Sequence, residues 1–217
     1  MTKNRKKVFF LLVLFIVGYV SFQYLFQKED IPLTIEQRNK NKNTASRLVL
    51  KAGDTYKVDN KKFKQGFYDI TLVKGNAKIK NVFLNEGDQI LGVPFYNNNS
   101  ISIEGKGTVL LSPAEFTKVS LQKGIYILNN KSVIYQAGKE IEEGTYNLQV
   151  VNNEKNPFYI FVDINNYDED SKNGKSFDIR NTSDNIKFSI KNGEFLKIFN
   201  WSENKTDISV KLIKEDT

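Results

Sequence analysis

The side chains that this chain offers for chemistry are carboxylates, hydroxyls, lysines and tyrosines, because its 217 residues include no histidine and no cysteine. That composition excludes disulfides, thiol nucleophiles, Cys/His zinc sites and every catalytic triad that uses imidazole as its base. Turn carboxylates such as Glu86 and Asp88 stand beside Gly87, which suits hairpin ends better than a catalytic cleft. A serine–lysine hydrolase would need its residues on a helix, and no suitable helix is predicted. We therefore expect a protein that is not an enzyme and that uses no cofactor.

One cluster of acidic residues, between Asp163 and Gly174, superficially resembles a calcium-binding loop. If Gly174 is counted as the sixth position of an EF-hand loop, Arg180 falls where the bidentate glutamate must be, so that interpretation fails. Two alternatives remain: an irregular calcium site built from the many oxygen ligands, and a solvated insertion loop. We prefer the solvated loop and predict no metal site.

Three aromatic residues near the C-terminus form the one candidate binding surface. Phe195, Phe199 and Trp201 fall on the same parity of a segment in which Leu196 and Ile198 alternate with them. If the two aliphatic side chains face a core, the three rings form an aromatic face on the other side of the strand. That face is a domain interface, a partner site or the interior of a sandwich covered on both sides. Base rates for Trp and Phe favour burial.

The elements that position these residues are β-strands. From Leu48 onward, apolar residues alternate with polar ones and short segments end at Gly, Asn or Asp, a pattern typical of half-buried strands in a sandwich or open barrel. The segment Phe158–Val162 is apolar on both parities, which predicts a strand covered on both faces. We expect a mostly β fold with no helix beyond the N-terminal segment.

The chain also repeats itself. Residues 63–72, FKQGFYDITL, align without gaps with residues 141–150, IEEGTYNLQV. We predict that Gly66 and Gly144 supply positive φ angles in turns and that the tyrosine two residues later faces a core. A second box recurs as 84–88, LNEGD, and 190–194, IKNGE. Two repeats predict two tandem antiparallel β-sandwich-like domains, at 48–115 and 118–214, which we favour over one intertwined fold.

These boxes resemble a pattern found in envelope proteins of Gram-positive bacteria. The resemblance rests on residues 135–146, YQAGKEIEEGTY, and on residues 84–90, LNEGDQI, and it covers most of 48–214. The first copy departs from the pattern, with Asp59-Asn60-Lys61 where the second has Gly138-Lys139. The resemblance implies extracytoplasmic β-domains behind a signal peptide, lipid anchor or membrane span, and it implies no catalytic residues.

The N-terminal segment indicates where the chain works. Residues 8–26 are 19 uncharged, largely apolar residues, and four basic residues lie among 1–7. As a helix, the run would span roughly 28 Å, close to the thickness of a bilayer's hydrocarbon core. We predict an uncleaved single-pass anchor in the cell membrane with 1–7 in the cytoplasm, a polar stalk at 27–47 and the rest outside. A cleaved signal peptide is the alternative, although small residues are missing where a peptidase would cut.

The charge balance changes once the anchor is set aside. The chain carries 32 basic and 25 acidic residues, a net +7, and residues 1–26 hold four of the cations and no acid, so the rest carries +3. Basic and acidic residues are interspersed there, which predicts no nucleic-acid partner. The expected function is a binding or structural protein of the bacterial envelope, whose partner is another envelope protein or wall polymer. The alternative is a surface module that binds carbohydrate or wall polymer, or hydrolyses it.

Overall fold

The alternating segments of the sequence form β-strands. A computed structural model describes residues 33–59, 61–153, 156–166, 174–202 and 208–215. These ranges contain fourteen strands and one short 3₁₀ turn, Ile35–Gln37, and no α-helix. The expectation of a mostly β fold is therefore confirmed. The strands are β1 (Leu48–Lys51), β2 (Thr55–Lys57), β3 (Gly66–Ile79), β4 (Val82–Asn85), β5 (Gln89–Phe95), β6 (Ser100–Pro113), β7 (Ile125–Leu128), β8 (Ser132–Gln136), β9 (Gly144–Asn152), β10 (Ile160–Asn165), β11 (Lys175–Ile179), β12 (Ile186–Ile190), β13 (Phe195–Asn200) and β14 (Ile208–Lys214).

The strands form two sheets. Eight strands of the ten-stranded sheet follow the order β1-β6-β3-β5-β8-β13-β10-β11, with β2 added to β6 and β4 added to β3. The four-stranded sheet has the order β12-β9-β14-β7. Every pairing between these fourteen strands is antiparallel except that of β5 with β8, which is parallel and has only two residue pairs, Ile90 with Ser132 and Leu91 with Val133. That short contact joins the first half of the chain to the second.

Two separate cores lie on opposite faces of the long sheet. Ile90 belongs to the core of the first half, whereas its neighbour Leu91 packs against the core of the second half, beside Val133. Successive side chains of a strand point to opposite faces, so the two cores cannot share a face at this contact. Each predicted domain thus has its own buried cluster while one sheet runs through both. The domain boundaries at 48–115 and 118–214 stay a prediction.

The first core is lined by two long strands, β3 and β6, of fourteen residues each. Their pairing register shifts between Leu72 and Lys74. Gly75 on β3 pairs with Gly107 on β6, and a Cβ on either would overlap the carbonyl oxygen of a residue on the opposite strand. The absence of side chains lets the two backbones approach closely at this pair.

The second core contains buried residues from both sheets. Buried residues of β8, β10 and β13 pack against buried residues of the four-stranded sheet, including Tyr146 on β9 and Leu212 on β14. The alternation predicted for β9 is confirmed, since Tyr146, Leu148 and Val150 are buried and their neighbours are partly exposed.

Residues 33–47, which we call the strap, belong to the predicted polar stalk at 27–47 but lie against the folded part of the chain. Leu33 is buried with Phe67. The Asn43 side chain accepts a hydrogen bond from the Phe67 N–H (3.0 Å) and donates one to the Phe67 carbonyl (2.8 Å), as a neighbouring strand would. Polar side chains can hold a segment against the fold by hydrogen bonds to backbone atoms, without any apolar sequence pattern. The sequence of the strap therefore predicts a stalk.

The predicted cytoplasmic segment 1–7 and membrane anchor 8–26 lie outside the described residues. Within the ranges that the structure does describe, no helix has the length and apolar character needed to cross a membrane.

Candidate functional site

The three aromatic residues singled out by the sequence have different surroundings. Leu196 and Ile198 on β13 are buried in the second core, and Phe195, Phe199 and Trp201 lie on the other parity. Phe195 is fully buried, whereas Phe199 and Trp201 are half-buried. The structure therefore separates Phe195 from the other two.

Phe199 and Trp201 form a row of aromatic rings with Phe161 on β10 and with Tyr159, which lies just before β10. Phe161 lies opposite Phe199 in the β10–β13 register. Its ring stacks on that of Trp201, with centroids 5.1 Å apart and planes 4° from parallel. The Phe199 and Trp201 centroids are 6.0 Å apart, and the Tyr159 ring lies 5.4 Å from Trp201. We call Tyr159, Phe161, Phe199 and Trp201 the aromatic face.

Sequence reasoning missed Tyr159 and Phe161 as members of this face. Both residues lie in the segment 158–162, whose apolar residues on both parities predict a strand covered on both sides. Ile160 and Val162 are indeed fully buried, but Tyr159 and Phe161 are only half-buried because neighbouring rings, rather than a second sheet, cover them. Cross-strand aromatic pairs of this kind stabilise a sheet by about 0.5–1.5 kcal/mol each.

Charged groups surround the aromatic face. The Arg180 guanidinium lies 4.6 Å from the centre of the Tyr159 ring. The Tyr159 hydroxyl donates to Asp178 (2.7 Å), and this hydrogen bond raises the pKa of Tyr159. Lys197 and Asp163 form an ion pair at 3.5 Å. The charged side chains around the aromatic face are therefore of both signs.

Phe195 instead contacts a buried arginine from the strap. The Arg38 guanidinium lies 4.5 Å from the Phe116 ring centre, 5.4 Å from that of Phe195 and 5.9 Å from that of Phe67. Its Nη2 donates to both carboxylate oxygens of Glu140, at 2.7 and 2.8 Å. The two side chains are only 1% and 4% exposed. A buried pair of this kind is costly to break, because either partner alone would be an uncompensated charge.

Glu140 is part of the second-repeat box and is held in place by its own loop. The Gln136 N–H donates to the Glu140 carboxylate at 2.7 Å. Nothing in the sequence indicates that this glutamate pairs with Arg38, since 102 positions separate the two residues and the strap is mostly polar. The ion pair links the strap to the second half of the chain.

Arg38 fills the gap where β5 and β8 separate. Its Nη2 also donates to the carbonyl of Ile134 on β8. On the β5 side, Gly92 has φ +73°, and a Cβ there would lie 2.9 Å from the Ile134 oxygen and 3.1 Å from Arg38 Nη1. A side chain at position 92 would therefore displace the arginine or the neighbouring strand.

Two cavities open beside this gap, and both are lined by Gly92 and Ile134. The first, about 180 Å³, includes Arg38 and has mostly apolar walls. The second, about 240 Å³, includes Asp69, Tyr135 and Glu140.

Burial changes the titration of two groups that line the second cavity. It raises the pKa of Asp69, although Asp69 accepts a hydrogen bond from the Gly92 N–H at 2.9 Å. Burial, followed by the charge of Glu140, raises the pKa of Tyr135 to about 12. In both side chains burial makes the ionised form less favourable than it is in water.

In the part of the chain that the structure describes, no group of acidic side chains is arranged to hold a metal ion. Asp163, the first residue of the predicted acidic loop, bonds to Asn165, Ser176 and Lys197. Residues 167–173, on which the calcium alternative depends, lie outside the described ranges.

Searches against models of known protein families and against curated proteins find no match for this chain.

Proposed function

We propose that the chain is a single-pass membrane protein of the bacterial envelope whose β-modules lie outside the cell and bind another envelope protein through the aromatic face. The observation that carries the proposal is the half-buried row of Phe161, Phe199 and Trp201, with charged side chains around it. Aromatic residues and arginine are enriched at protein interfaces and supply most of their hot spots.

The stacking of the rings supports a protein partner over a sugar. A carbohydrate ligand stacks on an exposed ring face, and the Phe161–Trp201 contact takes up one face of each of these rings. A protein partner can use the edges and the remaining faces of the row together with Arg180 and Asp178.

The membrane part of the proposal rests on residues 8–26 and on the basic residues before them. The absence of cysteine makes its test simple, because a single introduced cysteine is the only thiol in the chain. Ser100→Cys, at an exposed position on β6, should react with a membrane-impermeant maleimide on intact cells. Lys3→Cys should react only after the cells are permeabilised. The reverse pattern would show that the orientation is wrong.

Binding is tested by photo-crosslinking in cells. A photoreactive phenylalanine at position 161 should crosslink to a discrete envelope protein, and the same residue at position 127 should not. Ile127 is the matched control because it is 49% exposed on β7, in the other sheet. Trp201→Ala should weaken the interaction with the captured protein by at least about tenfold, as expected for an interface hot spot.

Two outcomes would contradict the protein-binding proposal. Retention of the protein on purified peptidoglycan or teichoic acid, lost in Trp201→Ala, would favour a wall-polymer ligand. Equal crosslinking from positions 161 and 127, or none from either, would favour a structural spacer.

A further inference from the structure

The cavity of about 180 Å³ beside Arg38 combines apolar walls with positive charge. Phe195, Phe199 and Val93 contribute apolar surface, and the charged residues in its lining are Arg38, Lys80 and Lys197. No carboxylate lines it. Lys197 is balanced by Asp163 at 3.5 Å, and the Lys80 ammonium lies 4.7 Å from the Phe95 ring centre.

Arg38 lines this cavity and is only partly hydrogen-bonded. Its Nη2 is occupied by Glu140 and by the Ile134 carbonyl, but Nε and Nη1 are buried without an acceptor among the described residues. A guanidinium has five N–H donors, and each one buried without an acceptor costs free energy. The contacts with three aromatic rings supply π-electron density but no oxygen acceptor. An incoming anion would satisfy these donors.

The size of the cavity limits what can enter. A dry cavity of about 150 Å³ holds a benzene molecule, so this one accommodates a ring or a short branched chain together with one small polar group. A ligand with one ring and one small polar group is therefore the upper limit.

The charge of the surroundings limits the ligand further. Glu140 already offsets the charge of Arg38, so a dianion such as phosphate would bring excess negative charge into a mostly apolar space. A carboxylate carries a single negative charge and leaves an apolar body to contact the rings.

We propose that this cavity is a binding site for a small apolar monocarboxylate, whose carboxylate accepts hydrogen bonds from Arg38 and whose apolar body packs on Phe195 and Phe199. The site is distinct from the aromatic face, although Phe199 contributes to both. Its occupant is a small molecule and not the envelope partner.

The test uses the full-length chain in lipid nanodiscs and two probes of equal size. Phenylacetate and phenylacetamide have the same number of non-hydrogen atoms, but only the first is an anion. Titrations followed by saturation-transfer NMR should give phenylacetate a dissociation constant of about 1 mM, as expected for so small a ligand. Phenylacetamide should bind at least about tenfold more weakly, because a charge-assisted hydrogen bond is lost. Inorganic phosphate should not compete.

A variant that fills the cavity and spares the ion pair supplies the structural control. Ile134 is half-buried and lines the cavity, so Ile134→Phe should weaken phenylacetate binding by at least about tenfold while the protein stays folded. Ile127→Phe makes the same change at an exposed position of the other sheet and should bind as the wild type does. Both variants in nanodiscs also control for partition of the probe into lipid.

Equal binding of the two probes, competition by phosphate, or unchanged binding to Ile134→Phe would each overturn the proposal. Trp201 does not line the cavity, so Trp201→Ala should leave phenylacetate binding unchanged while it weakens partner capture. Failure of one proposal is therefore distinguishable from failure of the other.

Discussion

The two copies of the glycine–tyrosine box adopt the same local structure in different surroundings. Gly66 and Gly144 both have φ +149°, and Tyr68 and Tyr146 are both fully buried. Each tyrosine hydroxyl donates to the backbone carbonyl four residues earlier, at 2.7 Å in the first copy and 2.8 Å in the second. The predicted positive φ and inward tyrosines are therefore confirmed in both copies.

The copies differ in what lies against the glycine. A Cβ on Gly66 would lie 2.6 Å from the Ala45 backbone nitrogen and 2.8 Å from the Asn43 Oδ1, both in the strap. A Cβ on Gly144 would meet the flexible Lys214 side chain at 3.1 Å and the Tyr146 ring at 3.9 Å. The repeat thus encodes a glycine of positive φ at the first residue of a strand, and not within a turn as predicted, followed by a buried tyrosine. The strap makes the first copy less tolerant of change.

The residue after the tyrosine also differs, being Asp69 in the first copy and Asn147 in the second. Asp69 lines a cavity next to the strap's ion pair, while the Asn147 amide donates to Glu215 at 2.9 Å. Three sets of substitutions test whether the strap accounts for the contrast.

The largest effect is expected from loosening the strap itself. Arg38→Met leaves Glu140 buried without its partner and should lower the free energy of unfolding by about 3–5 kcal/mol. Adding Glu140→Gln should recover part of the loss, because the uncompensated charge is removed. Urea unfolding followed by the fluorescence of Trp201, the one tryptophan in the chain, measures both. A loss below about 1 kcal/mol, typical of an exposed pair, would show that the ion pair does not hold the strap.

The second largest change in the free energy of unfolding is expected from substituting Gly66 and Gly144. Gly66→Ala should cost about 3 kcal/mol, since it combines a positive φ with backbone atoms that cannot move aside. Gly144→Ala should cost about 1–2 kcal/mol, because the lysine can move and only the backbone strain remains. The difference should shrink in the Arg38→Met background. Equal costs in the wild-type background would contradict the role given to the strap.

The smallest change in stability is expected at Asp69, and it depends on pH. Because burial raises the pKa of Asp69 above 3.8, the folded chain binds its proton more readily than the unfolded chain does. Its ionised form therefore destabilises the fold at neutral pH, and this cost disappears as the pH falls through the raised pKa. Asp69→Asn, which copies the second repeat, should stabilise the chain by up to about 1 kcal/mol at pH 7 and by less at pH 4.

Asp59 is the control for this pH dependence. Backbone hydrogen bonds, chiefly from Lys61, lower its pKa, so its carboxylate stabilises the fold above its unfolded pKa and that stabilisation is lost in acid. Asp59→Asn should therefore be destabilising at pH 7, with the deficit shrinking as the pH falls. Urea unfolding at pH 7, 5 and 4 measures both variants. Destabilisation of Asp69→Asn at pH 7 would show that the ionised carboxylate is stabilising.

Much of the local structure is predictable from the sequence. The second boxes show this again: Asp88 and Glu194 each accept a hydrogen bond from the backbone N–H three residues earlier, at 2.8 and 2.7 Å, beside a glycine of positive φ. A turn of this kind depends on a few consecutive residues, so the same sequence pattern produces it in both repeats.

The candidate sites are less predictable. Phe195, Phe199 and Trp201 are recognisable from their parity, but only the register between β10 and β13 brings Phe161 beside Trp201. Nothing in the sequence indicates that Arg38 is buried, because a single arginine in a polar segment is expected to be solvated. Its burial depends on Glu140 and three rings, none of which is near it in the chain.

By itself, the sequence determined that the fold is mostly β and, in segments such as β9, which side chains of a strand face a core. These properties follow from a period of two residues and from glycines at fixed offsets, which are local. Only the tertiary structure decided that one sheet passes through both halves, with β5 beside β8 and the strap's arginine in the gap between them. The physical reason is that strand order and the burial of a charge depend on which surfaces meet, and the meeting partners lie far apart in the chain.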